Sequence, residues 1–278
     1  MQKIAPLTSR ALLRLDGSDV VGFLQNLVTC EVEDLDIGAA SFGALLTPQG
    51  KILFDFLMLR EADGFILDVD REQRDALSKR LTFYKLRADV QISNDQRAVF
   101  AGWPVSESRP DRSFVDPRQE NLGWRLYGEG LDTNTDEADW NEKRIASGVP
   151  QSGSDFELGS LFPHDALMDQ WQQGGVDFSK GCYVGQEVVS RMQHRGAARN
   201  RFVLVSSGKV FPGNLVGTNL TTNGKRIGTM GSSTGSSGLA LVRLDRIGSA
   251  LDANTPIMIG EIGVELSLPE FATFGWPQ

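Results

Sequence analysis

The chain has 278 residues, 40% hydrophobic and 23% charged, with 28 Lys and Arg against 36 Asp and Glu for a net charge of −8. That length suits one large domain or two of ordinary size, and the acidic balance, with a pI near 4.9, excludes a whole-surface nucleic-acid (DNA) binder, whose footprint is basic. Two cysteines exclude a disulfide framework and a self-contained four-Cys zinc or iron–sulfur site, and point to a reduced, cytoplasmic protein.

The start, Met1 to Pro6, lacks a long apolar core, so no signal peptide is expected. Apolar runs such as Phe42–Leu46 fall far short of the roughly 20 residues that span a bilayer, so no membrane association is expected. Neither G-x-G-x-x-G nor G-K-[ST] occurs. In chain order, Ala11–Leu15 reads as a strand, and Ser18 and Asp19 as caps of a helix reaching about Val28. Ser41–Leu46 and Ile52–Leu59 flank the turn Thr47-Pro48-Gln49-Gly50. Gly64–Val69 is a third strand, Arg71–Lys85 an amphipathic helix, and Val90–Ile92 and Ala98–Ala101 return to strand. This order predicts an α+β sheet domain.

Pro104–Gln119 reads as a linker loop, Leu122–Tyr127 as a strand, and Asp136–Ser147 as a helix closed by Gly148 and Pro150. Residues 151–179 read as irregular and Tyr183–Gln193 as helix. Past Arg201 come short alternating or β-branched runs at Phe202–Val205, Gly217–Thr222, Leu239–Leu244, Ile257–Ile259 and Val264–Leu268. With the hairpin signal Asn223-Gly224, they predict a small β-barrel, with the Gly228–Gly238 stretch as a mobile turn.

The chemistry concentrates in Lys180–Arg201, where Lys180, Arg191, Arg195, Arg199 and Arg201 face one acid, Glu187, for a local charge of +4. A basic island in an acidic chain suggests a localised anion site; a solvated helix face is the other reading. Cys182, near Lys180 and a helix start, is expected to carry a lowered thiol pKa. A cysteine on its own is more often a small buried hydrophobe, and both readings stand for Cys182. Cys30 follows an apolar helix with no nearby base and is read as buried. Gln186 and Glu187 add an amide and a carboxylate suited to a heterocycle. His164 and His194 lack metal-ligand spacing and are read as surface or loop residues.

The run K-G-C-Y-V-G-Q-E-V-V-S-R, Lys180 to Arg191, resembles the signature of YgfZ-type folate-binding proteins, relatives of the glycine-cleavage T-protein (aminomethyltransferase). The opening LTSRALLRLDGSDVVGFLQNLVT, TPQGKILFD, DPRQENLGWRL, RIASGVPQSGSDF and FPHDALMD carry the resemblance over nearly the whole chain. It implies a T-protein-like α+β fold: two folate-binding subdomains over 1–199, with a linker near 104–119, and a β-barrel over 200–278, around a central folate channel. It further implies tetrahydrofolate, or a one-carbon derivative, as ligand, and a role in iron–sulfur cluster assembly or repair, with iron–sulfur enzymes or assembly proteins as partners of a monomer. Cys182 matches the family's functional cysteine. Lys180, Tyr183, Gln186, Glu187 and Arg191 match the rest of the motif, with Arg195 in the island that would hold the folate's glutamate tail. By the resemblance Asp55 would take the place of the T-protein aspartate beside the folate nitrogen; a plain hairpin aspartate is the other reading. Two departures stand out: Pro163-His164-Asp165 replaces the family's Pro-x-Glu, and Leu122-Gly123-Trp124-Arg125-Leu126 replaces G-Y-T-G-E, which puts glycine-cleavage chemistry in doubt. The alternatives are a folate-dependent one-carbon (aminomethyl) transferase using Asp55 as acid or base, and a docking module for tRNA-modification proteins built on the barrel and the basic island.

Overall fold

A computed structural model describes residues 2–105, 109–196, 198–253 and 255–276. The chain forms two compact units, one of residues 1–140 with 171–188, the other of 141–170 with 189–278.

In the first unit the strands are β1 (Lys3–Pro6), β2 (Arg10–Asp16), β3 (Ala40–Leu46), β4 (Ile52–Glu61), β5 (Gly64–Asp70), β6 (Gln91–Asp95), β7 (Ala98–Trp103), β8 (Phe114–Val115) and β9 (Trp124–Gly128). They make an antiparallel sheet in the order β3-β4-β5-β2-β6 and a second in the order β1-β7-β9-β8. Leu12, Leu13, Leu15, Phe56, Phe65 and Leu67 are fully or almost fully buried, each contributing on the order of 2 kcal/mol through burial. Helix α1 (Val20–Gln25) stops short of the expected Val28. Asp19 makes no cap; its carboxylate accepts from the Asp89 amide at 2.8 Å instead, and Val28 leaves the helix to bridge Leu45. Helix α2 (Arg74–Lys85) starts three residues later than expected, because Asp70 draws the amides of Glu72 and Gln73 into a turn. The linker region contains β8, and its residues 106–108 lie outside the described residues.

The second unit is built on a closed barrel of β10 (Asn200–Ser206), β11 (Asn219–Thr222), β12 (Lys225–Thr234), β13 (Ser237–Arg243), β14 (Ile257–Ile259) and β15 (Ile262–Ser267), in the order β10-β13-β12-β11-β14-β15. Closure leaves no unpaired edge. Val203, Leu220, Ile227, Ala240, Val242 and Ile257 fill it. Asn223 and Gly224, with φ of 48° and 71°, make the expected primed turn between β11 and β12.

The Gly228–Gly238 stretch is not a mobile turn. It runs through β12 and β13, and only Gly235, at φ 55°, serves the bend. The other glycines clear space: a β-carbon on Gly228 would stand 2.7 Å from the Leu241 carbonyl oxygen, and one on Gly231 would stand 2.6 Å from Asp155 Oδ1. That carboxylate is fixed in turn by Arg144, which is buried and paired to it at 2.6 Å. A helix over Leu244–Asp252 also follows β13 without a sequence prediction.

Two helices complete the chain, over Glu137–Ala146 and Gln186–Arg195. In chain order the helices after α2 are α3 (Glu137–Ala146), α4 (Gln186–Arg195) and α5 (Leu244–Asp252).

Candidate functional site

Helix α4 begins at Gln186 and not at the expected Tyr183. Gly185, at φ 83°, sets the break, and its carbonyl side lies against the Thr47–Gly50 turn. Cys182 therefore precedes the helix on a loop, with an exposed side chain.

The loop is anchored from both sides. Upstream, the Gly175 amide donates to the Phe42 carbonyl at 2.5 Å, and the Asp177 amide donates to the Thr29 carbonyl at 2.9 Å. Thr29 Oγ1 donates to the Gly175 carbonyl and accepts from the Ala44 amide. The Asp177 carboxylate accepts from the Ser179 amide and hydroxyl, both at 2.7 Å, and from the Lys180 amide at 3.0 Å. Burial pushes that carboxyl up, but these bonds outweigh it and hold it below its ordinary range.

Lys180 is buried, and its ammonium donates to the carbonyls of Val28 at 2.9 Å and Cys30 at 2.5 Å. Burial draws its pKa below the usual lysine value, against the opposing influence of Cys30, Glu31 and Asp177. The cation expected to act on Cys182 is thus committed to backbone oxygens. Cys30 is fully buried as expected, and burial pushes its thiol up to about 11.

Lys180 Nζ also stands 5.7 Å from the centroid of the Tyr183 ring. Tyr183 is buried, its hydroxyl has no hydrogen-bond partner among the described residues, and burial raises its phenol pKa well above normal. Such a group costs on the order of 1–3 kcal/mol unless something binds it. Gln186 is half-buried and donates weakly, at 3.4 Å, to the Gly181 carbonyl. Glu187, Arg191 and Arg195 are exposed on α4, with Glu187 and Arg191 four apart on one face.

Three segments quoted from the sequence thus meet in the first unit: Val28–Cys30 beneath Lys180, the Thr47–Gly50 turn against Gly185, and the Cys182 loop between them. A cavity of about 370 Å³ beside the loop is lined by Glu31, Asp34, Ser41, Gln173, Asp177 and Phe178. Its acidic lining does not suit an anionic tail.

Asp55 sits on β4 opposite Ala44 and acts electrostatically on Arg10. It therefore belongs with a buried charge network that the sequence did not single out. Arg10 pairs with Asp68 at 2.6 Å, Arg125 with Asp68 at 3.3 Å and with Asp116 at 3.4 Å, and Arg118 with Asp116 at 2.8 Å. The Tyr127 hydroxyl donates to Asp68 at 3.3 Å. Burial pushes the Asp116 carboxyl up, yet the arginines on both sides hold it below its ordinary range. The signal that could have found this network is charge inside apolar strands, as in Ile66-Leu67-Asp68-Val69 and Trp124-Arg125-Leu126. Gln119 and Trp124, in the same stretch, each carry a buried nitrogen without a partner among the described residues.

In the second unit, His164 is buried and not on the surface. Its Nε2 lies 3.1 Å from Gln193 Oε1, and burial lowers its pKa. The shortened Asp165 turns back locally and accepts from the Phe162 amide at 3.0 Å. Arg201 pairs with Asp169.

Comparison with known proteins shows what this geometry resembles. Residues 199–274 match the family model of the CAF17 C-terminal β-barrel domain. The chain is 31% identical to the mitochondrial iron–sulfur cluster assembly factor IBA57 of Mus musculus, over 90% of this chain and 80% of that protein. It is 29% identical to the Homo sapiens protein of that name, over 98% and 84%. Against the Chaetomium globosum homologue it is 31% identical over 77% of its own length, spanning 59% of that protein. Among solved structures, the glycine cleavage system aminomethyltransferase T of Bartonella henselae matches with a TM-score of 0.72 at 17% identity, over 98% of this chain and 86% of that one. The fold is therefore T-protein-like α+β with a C-terminal barrel, as the motif implied. The cytoplasmic expectation is overturned, since these relatives are named as mitochondrial. A low cysteine count does not distinguish one reducing compartment from another.

Proposed function

This chain belongs to the IBA57 family of iron–sulfur cluster assembly factors, and from that premise we propose that it assists the assembly or repair of iron–sulfur clusters, with a reduced folate as ligand and Cys182 as working thiol. The relatives carry the IBA57 name, and the relationship to the T-protein fold that the motif implied stands. The observation that carries the reading is the setting of Cys182: an exposed thiol on a loop held by Lys180 below and by Gly185 beside it. One cysteine cannot hold a cluster, which takes about four ligands. Cys182 therefore supplies one ligand transiently to a cluster passing to an iron–sulfur protein, or works as a redox thiol.

The Tyr183 hydroxyl, buried and without a partner among the described residues, supports a polar ligand at this loop. A reduced folate fits that requirement: Tyr183, Gln186 and Glu187 would meet its heterocycle, while Arg191 and Arg195 would take its anionic tail. When bound, the folate supplies a carrier of one-carbon units. The proposal includes a folate-binding part over 1–199 and a barrel over 200–278, acting as a monomer.

Calorimetric titration of tetrahydrofolate into the wild type and Arg191→Ala tests the ligand. Binding that weakens in the variant is expected, and absence of heat up to millimolar folate removes folate from the function. Cys182→Ala tests the thiol in a strain lacking the protein. Full restoration of iron–sulfur enzyme activity by that variant would take the thiol out of the mechanism.

A further inference from the structure

Across residues 141–170 and 189–278 there are eleven Lys and Arg against ten Asp and Glu, a net of +1, which leaves −9 of the chain's −8 for the other unit. The positive charge of the barrel unit is not spread evenly. A cavity of about 580 Å³ lies where the β11–β12 turn faces α5, with Lys225, Arg226, Asp245 and Arg246 in its wall and Ile227 and Ala250 in its floor. A second concavity, of about 290 Å³, shares Arg226, Ile227 and Arg246 with it and adds Arg243. Among the described residues, four cations thus surround one carboxylate.

That carboxylate is already engaged. Asp245 accepts from Arg243 at 3.1 and 2.7 Å, and this bonding holds its carboxyl below the ordinary range. Lys225 and Arg226 form no ion pair among the described residues, and both are exposed. The guanidinium groups are nevertheless held in place: Arg246 Nη1 donates to the Arg226 carbonyl at 2.6 Å, and Arg226 Nη2 donates to Thr229 Oγ1 at 2.5 Å. Each spends one of its five N–H donors this way. Fixed donors lose little freedom when a ligand arrives, which lowers the cost of binding.

We propose that this face of the barrel docks an acidic segment of a partner protein, with carboxylates on Lys225, Arg226 and Arg246 and an apolar side chain on the floor formed by Ile227 and Ala250. The charge complementarity selects the occupant. Among the described residues no aromatic side chain lines either concavity, so the stacking platform that single-stranded nucleic acid uses is missing there. The acidic remainder of the chain also repels a long polyanion. A short acidic segment matches the local charge of this face. The site lies apart from the Cys182 loop in sequence and uses none of the residues proposed for folate, so it goes beyond the reading above and does not rest on it.

The test uses the full-length protein and a fluorescein-labelled twelve-residue peptide of alternating Glu and Leu, followed by fluorescence anisotropy at low and high salt. Binding by the wild type is expected, weakening as salt screens the charges. Lys225→Glu with Arg226→Glu is expected to weaken it about tenfold or more. Since Arg226 also bonds Thr229, Lys225→Glu with Arg246→Gln serves as a second variant, and circular dichroism checks that both are folded. Equal affinity in wild type and both variants overturns the proposal, as does absence of binding by the wild type up to millimolar peptide. Tighter binding of a single-stranded RNA of equal charge overturns it in favour of nucleic acid. A concentration-dependent dimer that both variants abolish overturns it in favour of a second copy of this chain.

Discussion

Gly185 and Gly50 pack backbone against backbone: a β-carbon on Gly185 would stand 3.1 Å from Gly50 Cα and 2.6 Å from the Thr47 carbonyl oxygen. Both glycines have positive φ, 83° and 80°. The turn Thr47-Pro48-Gln49-Gly50 and the cysteine motif, more than a hundred residues apart in sequence, thereby fix each other. Gly185→Ala meets an unfavourable φ and a backbone oxygen at once. It is expected to lower stability by about 1–3 kcal/mol, read as a shift in the urea midpoint, and to loosen the loop before α4, read as faster amide exchange over residues 181–186.

Lys180 binds the loop to Val28 and Cys30 through two carbonyls. Lys180→Met keeps the apolar stem and removes the donors, stranding both oxygens. The expected cost is about 1–3 kcal/mol, with amide protection lost around residues 28–30 and 178–182. A variant as stable as wild type would show that the clamp is dispensable.

The two cysteines are expected to separate cleanly by reactivity. Cys182 is exposed, whereas Cys30 is buried with its thiol at about 11, and only thiolate alkylates. Native protein treated with iodoacetamide near neutral pH should take one label, at Cys182 by mass spectrometry, and a second only after denaturation. Label on Cys30 in the native protein would contradict its burial.

Tyr183→Phe separates binding from stability. Removing a buried hydroxyl without a partner should leave the ligand-free protein as stable as wild type or slightly more so. Folate affinity should fall about tenfold, the worth of one good hydrogen bond. Thermal unfolding with and without tetrahydrofolate reads both quantities, and unchanged affinity would place the ligand away from this residue.

The Asp177 carboxyl is held below its ordinary range in the folded protein. In acid, the unfolded chain therefore binds this proton before the folded one does. The stabilisation is complete above the unfolded value, about 4, and is lost as pH falls through the lower folded value. Asp177→Asn keeps an acceptor for Ser179 but cannot titrate. The gap in melting temperature between wild type and variant should accordingly narrow as pH falls below about 4. A gap independent of pH would show that the carboxylate charge is not what holds the turn.

Much of the site was legible because its signals are local. The motif Lys180–Arg191 and the turn Thr47–Gly50 name their residues directly, and the burial of Cys30 follows from the apolar helix before it. The direction of Lys180 was not legible. Its neighbours in sequence suggest a cation beside a thiol, whereas its partners are carbonyls about 150 residues away. The start of α4 was misplaced for a related reason. Val184 and Val188 continue the helical pattern, but Gly185 breaks the helix to meet a backbone that lies far upstream.

By itself the sequence determined the α+β and barrel parts, the strands within them and the place of the cysteine motif, because hydrophobic periodicity, turn residues and a contiguous signature need no distant partner. Only the tertiary structure decided that Gly228, Gly231 and Gly238 belong to strands, that His164 is buried, and that Arg10, Asp68, Asp116, Arg118 and Arg125 form one buried network. In each case the deciding force is a close approach or a charge pairing between segments remote in sequence. A glycine that clears room for Asp155 and one that makes a turn are the same letter until the fold brings the carboxylate beside it.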